Sequence, residues 1–382
     1  MLKKLVTTTA LVAAVTAGAL TLGTQAKADD ITIAVAGPMT GDLAAFGEQL
    51  RRGSEMAVKD INAKGGVLGK QVKLEVGDDQ CDPKQAVQVA NDLVKKGAVF
   101  IAGHFCSGSS IPASDVYAEE GIVQMTPAST NPAFTEGPAA KGTKTIFRTC
   151  GRDDAQGKFA GPWLAKTYGG KNIAVLDDKS AYGQGLANET QKGLEGAGGK
   201  VALRDTYTQK EKDFSALISK MKDAKVDVVY IGGYHTEAGL ILRQMRDQNL
   251  KAQLISGDAL VTNEYWSITG PAGEGTMMTF GPDPRNKPTA VDVVKQFKAK
   301  NIDPEGYTLY TYAALQIWAA AANKAGTTDA RKVAETMRSG AWDTVIGKLS
   351  FDTKGDITVI DYVMYRWDKD GKYGEVGANK GT

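Results

Sequence analysis

The residues best placed to do chemistry carry hydroxyls and lie in two glycine- and serine-rich stretches, Gly103-His104-Phe105-Cys106-Ser107-Gly108-Ser109-Ser110 and Thr126-Pro127-Ala128-Ser129-Thr130. Each follows a short apolar run (residues 98–102 and 122–125), so each stands where a buried strand would end. The first leads into a stretch that can be helical. Its hydroxyls and backbone N–H groups would then sit at a helix N-terminus, a place suited to a small anion such as a carboxylate. No strong nucleophile–base motif stands beside either stretch. Ser107, Ala128, Ser129 and Thr130 are therefore candidates for holding a small molecule rather than transforming it.

The other reactive side chains exclude more than they suggest. The two histidines, His104 and His235, are far apart, and no CxxC or HxxxH spacing exists, so no metal is expected. His235 beside Glu237 could serve acid–base chemistry, but the expectation is a solvent-facing loop histidine. An exported enzyme would need a nucleophile with a base in reach, and no G-x-S-x-G or Cys/His pair supports one. After the first apolar run stands Gly37-Pro38-Met39-Thr40-Gly41 in place of G-x-G-x-x-G, which argues against a dinucleotide cofactor. No cofactor is expected.

Residues 1–28 read as a targeting segment. Lys3 and Lys4 precede an apolar stretch from Leu5 to about Leu22, and Ala26-Lys27-Ala28 forms an A-x-A site, predicting cleavage after Ala28 and export to the periplasm. Cleavage would remove Lys3, Lys4 and Lys27 and no acid, taking 46 basic against 44 acidic residues to 43 against 44. A near-neutral chain gives no reason to expect nucleic acid or an anionic membrane as partner. No other stretch approaches the roughly 18 apolar residues of a membrane span, so a monomer with no membrane insertion is expected. Three cysteines in an exported chain read as one bridge and one leftover thiol. Cys81 and Cys106 each follow a strand-like run, where parallel strands would bring them together. Closing that loop is worth roughly 3.5 kcal/mol in the chain-entropy account. Cys150 reads as a buried free thiol on a strand.

These sites need elements to hold them. Short apolar runs (31–36, 72–76, 98–102, 122–125) alternate with amphipathic stretches (43–63, 83–96), the second opened by Asp82 as N-cap and Pro83 at the first helical position. This is a βαβ series and hence a parallel sheet. The pattern restarts with strand-like runs at 173–176, 201–203, 226–231 and 253–255 and helices at 182–194, 214–221 and 237–248. A third set follows: runs at 276–280, 348–351 and 362–367 with helices near 290–300 and 307–325. The mature length exceeds a comfortable single core, so two α/β units are expected. Ligands of parallel sheets bind beyond the strands' carboxyl ends. Gly232-Gly233-Tyr234 and Ser256-Gly257-Asp258 hold that position in the second unit, and two such edges facing each other would form a cleft.

The chain resembles the leucine/isoleucine/valine-binding family of periplasmic solute-binding proteins that serve ABC importers. The similarity runs in order along essentially the whole mature sequence. It is carried by Asp78-Asp79-Gln80-Cys81-Asp82-Pro83-Lys84-Gln85-Ala86-Val87, Pro112-Ala113-Ser114-Asp115, Asp178-Lys179-Ser180-Ala181-Tyr182-Gly183-Gln184-Gly185, Lys212-Asp213-Phe214-Ser215, Gly232-Gly233-Tyr234-His235 and Thr311-Tyr312-Ala313-Ala314-Leu315-Gln316. The resemblance implies an α/β fold of two Rossmann-like lobes with parallel sheets, the type I binding-protein fold, hinged by crossings near 146–150, 275–280 and 359–364. The lobes would be residues 29–147 plus 278–359 and residues 148–277 plus 360–382. It also implies a Cys81–Cys106 disulfide and an inner-membrane ABC permease as partner.

For the site, the resemblance implies that Ser107 and Thr130 hold a ligand carboxylate. The Ala128 carbonyl, the Thr130 hydroxyl and Asp258 would meet an ammonium. Tyr182 and Tyr234 would cover the ligand, and Phe46 would line the pocket. A zwitterion needs that complement, because an unpaired buried charge is very costly. Structural roles stay open beside these: Ser107 and Thr130 as helix caps, Tyr234 as a core aromatic, Asp258 as a turn residue. Departures from the family concern selectivity. Phe105 replaces an aliphatic residue, Tyr307 adds a second ring, and Asp258 is one methylene shorter than the glutamate of some members. The expected ligand is thus a compact amino acid (alanine, valine, proline or 4-aminobutyrate). A leucine/isoleucine/valine-specific protein and a sensor of an amide or urea-type ligand are the alternatives.

Overall fold

The structure, a computed structural model, describes residues 29–377. The expected targeting segment and its cleavage site lie outside the described residues. The strands are β1 (Ile31–Gly37), β2 (Val72–Asp78), β3 (Phe100–Gly103), β4 (Val123–Thr126), β5 (Ile146–Arg148), β6 (Ile173–Asp177), β7 (Val201–Thr206), β8 (Val228–Gly232), β9 (Gln253–Ser256), β10 (Met277–Phe280), β11 (Ala341–Thr344), β12 (Gly347–Ser350), β13 (Val363–Trp367) and β14 (Tyr373–Glu375). They form a five-stranded parallel sheet in the order β2-β1-β3-β4-β5 and a seven-stranded sheet in the order β14-β13-β10-β9-β8-β6-β7. In the second sheet β6 to β10 are parallel, while β13 and β14 run antiparallel at one edge. The hairpin β11-β12 stands apart.

Strands such as β6 (IAVLD) and β8 (VVYIG) are buried at every position. That is why they read as unbroken apolar runs: a parallel sheet is covered by helices on both faces. The helix Pro83–Lys95 starts where the sequence predicts, with the Asp82 carboxylate accepting from the Lys84 and Gln85 N–H groups at 2.9 and 2.8 Å. Such a cap is worth about 1 kcal/mol. One long helix, Asp153–Thr167, has no counterpart in the sequence reading. It carries Gly157, Gly161 and Pro162 and lies against the helix Ala181–Gly196 at backbone contact. A Cβ on Gly157 would come within 2.4 Å of the Glu189 backbone, and one on Gly161 within 2.2 Å of the Leu194 nitrogen.

The chain passes between the two sheets after β5, after β10 and before β13, which gives two lobes joined by three crossings. β10 pairs with β13 as far as Phe280, so residues 278–280, expected with the first lobe, sit in the second sheet's ladder. Phe280 is held there by ring contacts with Tyr307, Tyr310 and Tyr365. Cys150 lies two residues beyond β5 rather than on it, buried and free, whereas Cys81 and Cys106 form a disulfide with their Cα atoms 5.6 Å apart. No described helix is long and apolar enough to cross a membrane.

Candidate ligand site between the lobes

The order of each sheet fixes where a site can form. In the first sheet the strand order reverses between β1 and β3, and in the second between β6 and β8. The crevice beyond the carboxyl ends at such a reversal is where open α/β sheets take ligands. Phe105 and Ser107 follow β3, Ala128 and Thr130 follow β4, Tyr182 follows β6, Tyr234 follows β8, and Asp258 follows β9. A small cavity of about 10 Å³ is lined by Phe105, Ser107, Ala128, Tyr182, Tyr234, Asp258 and Ala259. Six of those seven are candidates from the sequence.

The first-lobe wall is pinned in place. Ser107 opens the helix Ser107–Glu119, and its hydroxyl accepts from the Asn131 N–H at 3.3 Å. The His104 carbonyl accepts from the hydroxyls of Thr126 at 2.6 Å and Ser110 at 3.2 Å. The imidazole of His104 is gripped between Asp79 at 2.5 Å and the Tyr117 hydroxyl at 3.0 Å. Ser129 faces this network rather than the cavity: its hydroxyl lies 2.6 Å from that of Ser110 and donates to the Phe105 carbonyl at 2.8 Å. Its carbonyl accepts from Arg148 at 2.7 Å. Arg148 also donates to the Asn131 carbonyl (3.1 Å), the Thr135 hydroxyl (2.9 Å) and Asp356 (2.6 Å). Burial would raise the Asp356 carboxyl, but the Arg148 and Arg152 guanidinium groups outweigh it and hold the group below the usual range.

The second-lobe wall is made of rings and acid. Tyr182 donates to Asp258 at 3.0 Å and its ring packs 5.1 Å from that of Tyr234. Tyr307 donates to the other Asp258 oxygen, while its own N–H is fixed by Gln49 at 2.9 Å. Burial pushes the Asp258 carboxyl up, and hydrogen bonds from Tyr307, Gln156 and Tyr182 oppose it. Phe105 stacks on Phe46 at 4.3 Å and meets Tyr307 edge-on at 5.6 Å, so the three rings close one end of the cavity. Behind Asp258 and Tyr307 a separate cavity of about 130 Å³ opens toward the crossings, lined there by Cys150, Tyr310 and Tyr362. The lobes touch across the site through Asn131 to the Ala181 carbonyl (2.7 Å) and Thr236 to the Asp42 carbonyl (3.1 Å).

His235 departs from expectation. It is fully buried, not solvent-facing, because Phe46 of the first lobe covers it edge-on at 5.1 Å and Glu264 sits 2.9 Å from Nε2. Its place at the mouth of the second lobe puts it under the opposite lobe. Sequence reasoning also missed Arg148, Ala259 and the pair Asp153 and Gln156. Asp153 begins the helix Asp153–Thr167, its N–H donates to the Thr130 carbonyl at 2.9 Å, and its carboxyl lies beside the Thr130 hydroxyl. Burial holds that carboxyl well above the usual range, opposed by Thr130 and Arg148, with the charge of Asp258 adding to the rise. The acid pair Asp153-Asp154 directly after a crossing was the available signal. No group of metal-ligating side chains occurs among the described residues.

A pair of hinged α/β lobes with a polar cavity between their strand ends defines a binding protein. The chain belongs to the leucine/isoleucine/valine-binding family of periplasmic binding proteins; the family described as "Periplasmic binding protein" matches residues 30–372. It is 53% identical over 347 residues to the Leu/Ile/Val-binding protein homolog 2 of Brucella abortus, covering 90% of this chain and 92% of that one. It is 45% identical over 354 residues to the leucine-, isoleucine-, valine-, threonine- and alanine-binding protein of Pseudomonas aeruginosa, covering 91% and 93%. Among solved structures, the leucine binding protein LivK of Thermotoga maritima superposes with a TM-score of 0.84 at 29% identity, covering 91% of this chain and 97% of that one.

Proposed function

We propose that this protein is the periplasmic binding component of an ABC importer for amino acids, and that it closes on a compact zwitterionic ligand. Candidates are alanine, valine, proline and 4-aminobutyrate. The observation that carries the reading is the polarity of the cavity: hydroxyls and a helix N-terminus at Ser107, a buried acid at Asp258, and rings between. An anion is favoured at the first end by the helix dipole and free N–H groups, and a cation at the second by a desolvated carboxylate. In this reading Ser107 and Thr130 take the ligand carboxylate, and Ala128, Thr130 and Asp258 take its ammonium. Tyr182 and Tyr234 cover it, and Ser129 holds the loop through which Thr130 acts. Phe46, Phe105 and Tyr307 limit side-chain length, since a ring that blocks a longer chain rejects it by clash.

Closure is the functional event. Contacts drawn from both lobes stabilise the closed state when ligand is present, and the permease then distinguishes loaded from empty protein. Export with cleavage after Ala28, a monomeric state and the absence of catalysis belong to the same proposal. Calorimetric titration of ligand-stripped protein with a panel of amino acids tests it. Tight binding of alanine, proline or 4-aminobutyrate over leucine is expected. Strong preference for leucine would overturn the compact ligand and favour the second reading, a leucine/isoleucine/valine carrier, which the names of the relatives support. A neutral amide or urea ligand fits less well, because it leaves Asp258 without a cation.

A further inference from the structure

Beside Asp258, outside the lining of the small cavity, stand more acceptors than the sequence suggests. Both oxygens of Asp153 and the Gln156 Oε1 are fully buried, and the one donor beside them is the Thr130 hydroxyl, next to the Asp153 carboxyl. Asp153 and Gln156 stand three residues apart on the helix Asp153–Thr167 and so share one face of it. Gln156 spends its Nε2 on the Thr279 hydroxyl at 2.7 Å and hydrogen-bonds Asp258, leaving its oxygen free. Asp153 lies beside the Thr130 hydroxyl and within electrostatic reach of Asp258. Gly185 of the facing helix leaves it room: a Cβ there would stand 3.2 Å from Asp153 Oδ2 and 2.7 Å from Asn131 Nδ2.

These three oxygens cannot donate when Asp153 is ionised, and the single proton of the Thr130 hydroxyl cannot satisfy them all. A buried acceptor without a donor costs about 1 to 3 kcal/mol, more when charged. The chemical complement is a group with several donors and no acceptor. An ammonium, with three N–H bonds, is that group. The guanidinium that acts on Asp153, that of Arg148, has its donors committed to Asp356, Thr135 and the carbonyls of Ser129 and Asn131.

Resting on the amino-acid reading of the site, we infer that Asp153 is a second acid for the ligand's ammonium, shared with Asp258, and that Gln156 Oε1 completes its coordination. The ammonium then lies between two lobe-two carboxylates and the Thr130 hydroxyl. The ligand class is thereby narrowed to molecules with a free, protonated amine, and the same carboxylate without the amine is rejected by two uncompensated acids rather than one.

The test compares 4-aminobutyrate with butyrate by calorimetry in wild-type protein, Asp153→Asn and Asp153→Ser. The serine variant keeps a small hydroxyl at the first helical position and loses the charge. Both variants are expected to keep a cooperative thermal transition and to shrink the preference for 4-aminobutyrate over butyrate by at least about tenfold, 1.4 kcal/mol at 25 °C. Equal loss for both ligands, an unchanged ratio, or unfolding of both variants would overturn the inference, since each makes Asp153 a structural group. Wild-type protein that binds neither 4-aminobutyrate nor any amino acid would instead sink the functional reading itself.

Discussion

The two halves of the candidate site are built on opposite principles. In the first lobe nearly every polar group already has a protein partner. Arg148 ties down the carbonyls of Ser129 and Asn131, Thr126 and Ser110 hold the His104 carbonyl, and the disulfide joins the ends of two strands. What remains for a ligand is backbone N–H groups and a hydroxyl or two, held rigid. In the second lobe the polar groups are buried acids: Asp258 takes hydroxyl donors from Tyr182 and, across the cleft, Tyr307, while Asp153 is left short of donors. On the proposed reading, one half would recognise by fixed geometry, the other by uncompensated charge. Damage to the first half should therefore appear as lost stability, and damage to the second as lost binding.

The largest effect is expected at Arg148. Its side chain is wholly buried, and Arg148→Met removes one of the cations that face Asp356, leaving Arg152 and Lys354, and frees the carbonyls of Ser129 and Asn131. Breaking a buried pair by removing one partner costs about 3 to 5 kcal/mol, to be read from denaturant unfolding. Arg148→Lys should recover little, because one ammonium cannot replace a planar five-donor fork. A variant as stable as wild type would mean that the first-lobe wall is not pinned as described.

At Asp258 the expected loss is of binding. Asp258→Asn preserves shape and both tyrosine contacts in outline while removing the charge, so affinity for an amino acid should fall by about 2 to 5 kcal/mol. Thermal stability without ligand should hold or rise, because a desolvated acid has been neutralised. Unchanged affinity in calorimetry would put Asp258 outside the site and erase the contrast between the halves.

The rings at the junction of the halves give a smaller and more selective effect. Phe105→Leu removes the face that stacks on Phe46 and meets Tyr307. Leucine should then gain on alanine by about tenfold, the low end of what a methylene decides in an apolar pocket. If competition binding shows no change in that ratio, side-chain length is set elsewhere.

The same contrast explains what was legible in the sequence. The inner parallel strands of both sheets were visible because burial on two faces makes them continuous apolar runs, and Ser107, Thr130, Tyr234 and Asp258 were visible because they follow such runs. The helix Asp153–Thr167 was not, since Gly157, Gly161 and Pro162 erase its amphipathic pattern and it packs by close backbone approach. Asp153 and Gln156 were hidden with it. Arg148 looked like part of an apolar run because its partner Asp356 is 208 residues away. His235 looked exposed because nothing local announces the ring of Phe46 from the other lobe.

Glu305 offers the finest test, at the seam between the lobes. This half-buried carboxylate accepts from the Asn263 N–H at 2.9 Å across the closed cleft. Burial, aided by the charge of Asp303, pushes its pKa up to about 7, against the pull of the Asn263 N–H, Arg285 and Thr262. If the lobes part, the group returns to water and to an ordinary value near 4.3. The closed state therefore binds the proton more tightly than the open one. Its contribution to closure is fully present below about pH 4.3 and is lost as pH rises through about 7. Amino-acid affinity should fall between pH 5 and 8 on this account, and Glu305→Gln, which cannot ionise, should flatten that part of the profile. Asp153 and Asp258 titrate in both proteins, so only the difference between the two profiles reports Glu305. Superimposable profiles would show that the Glu305 contact persists when the lobes open, and so that the hinge motion leaves this seam intact.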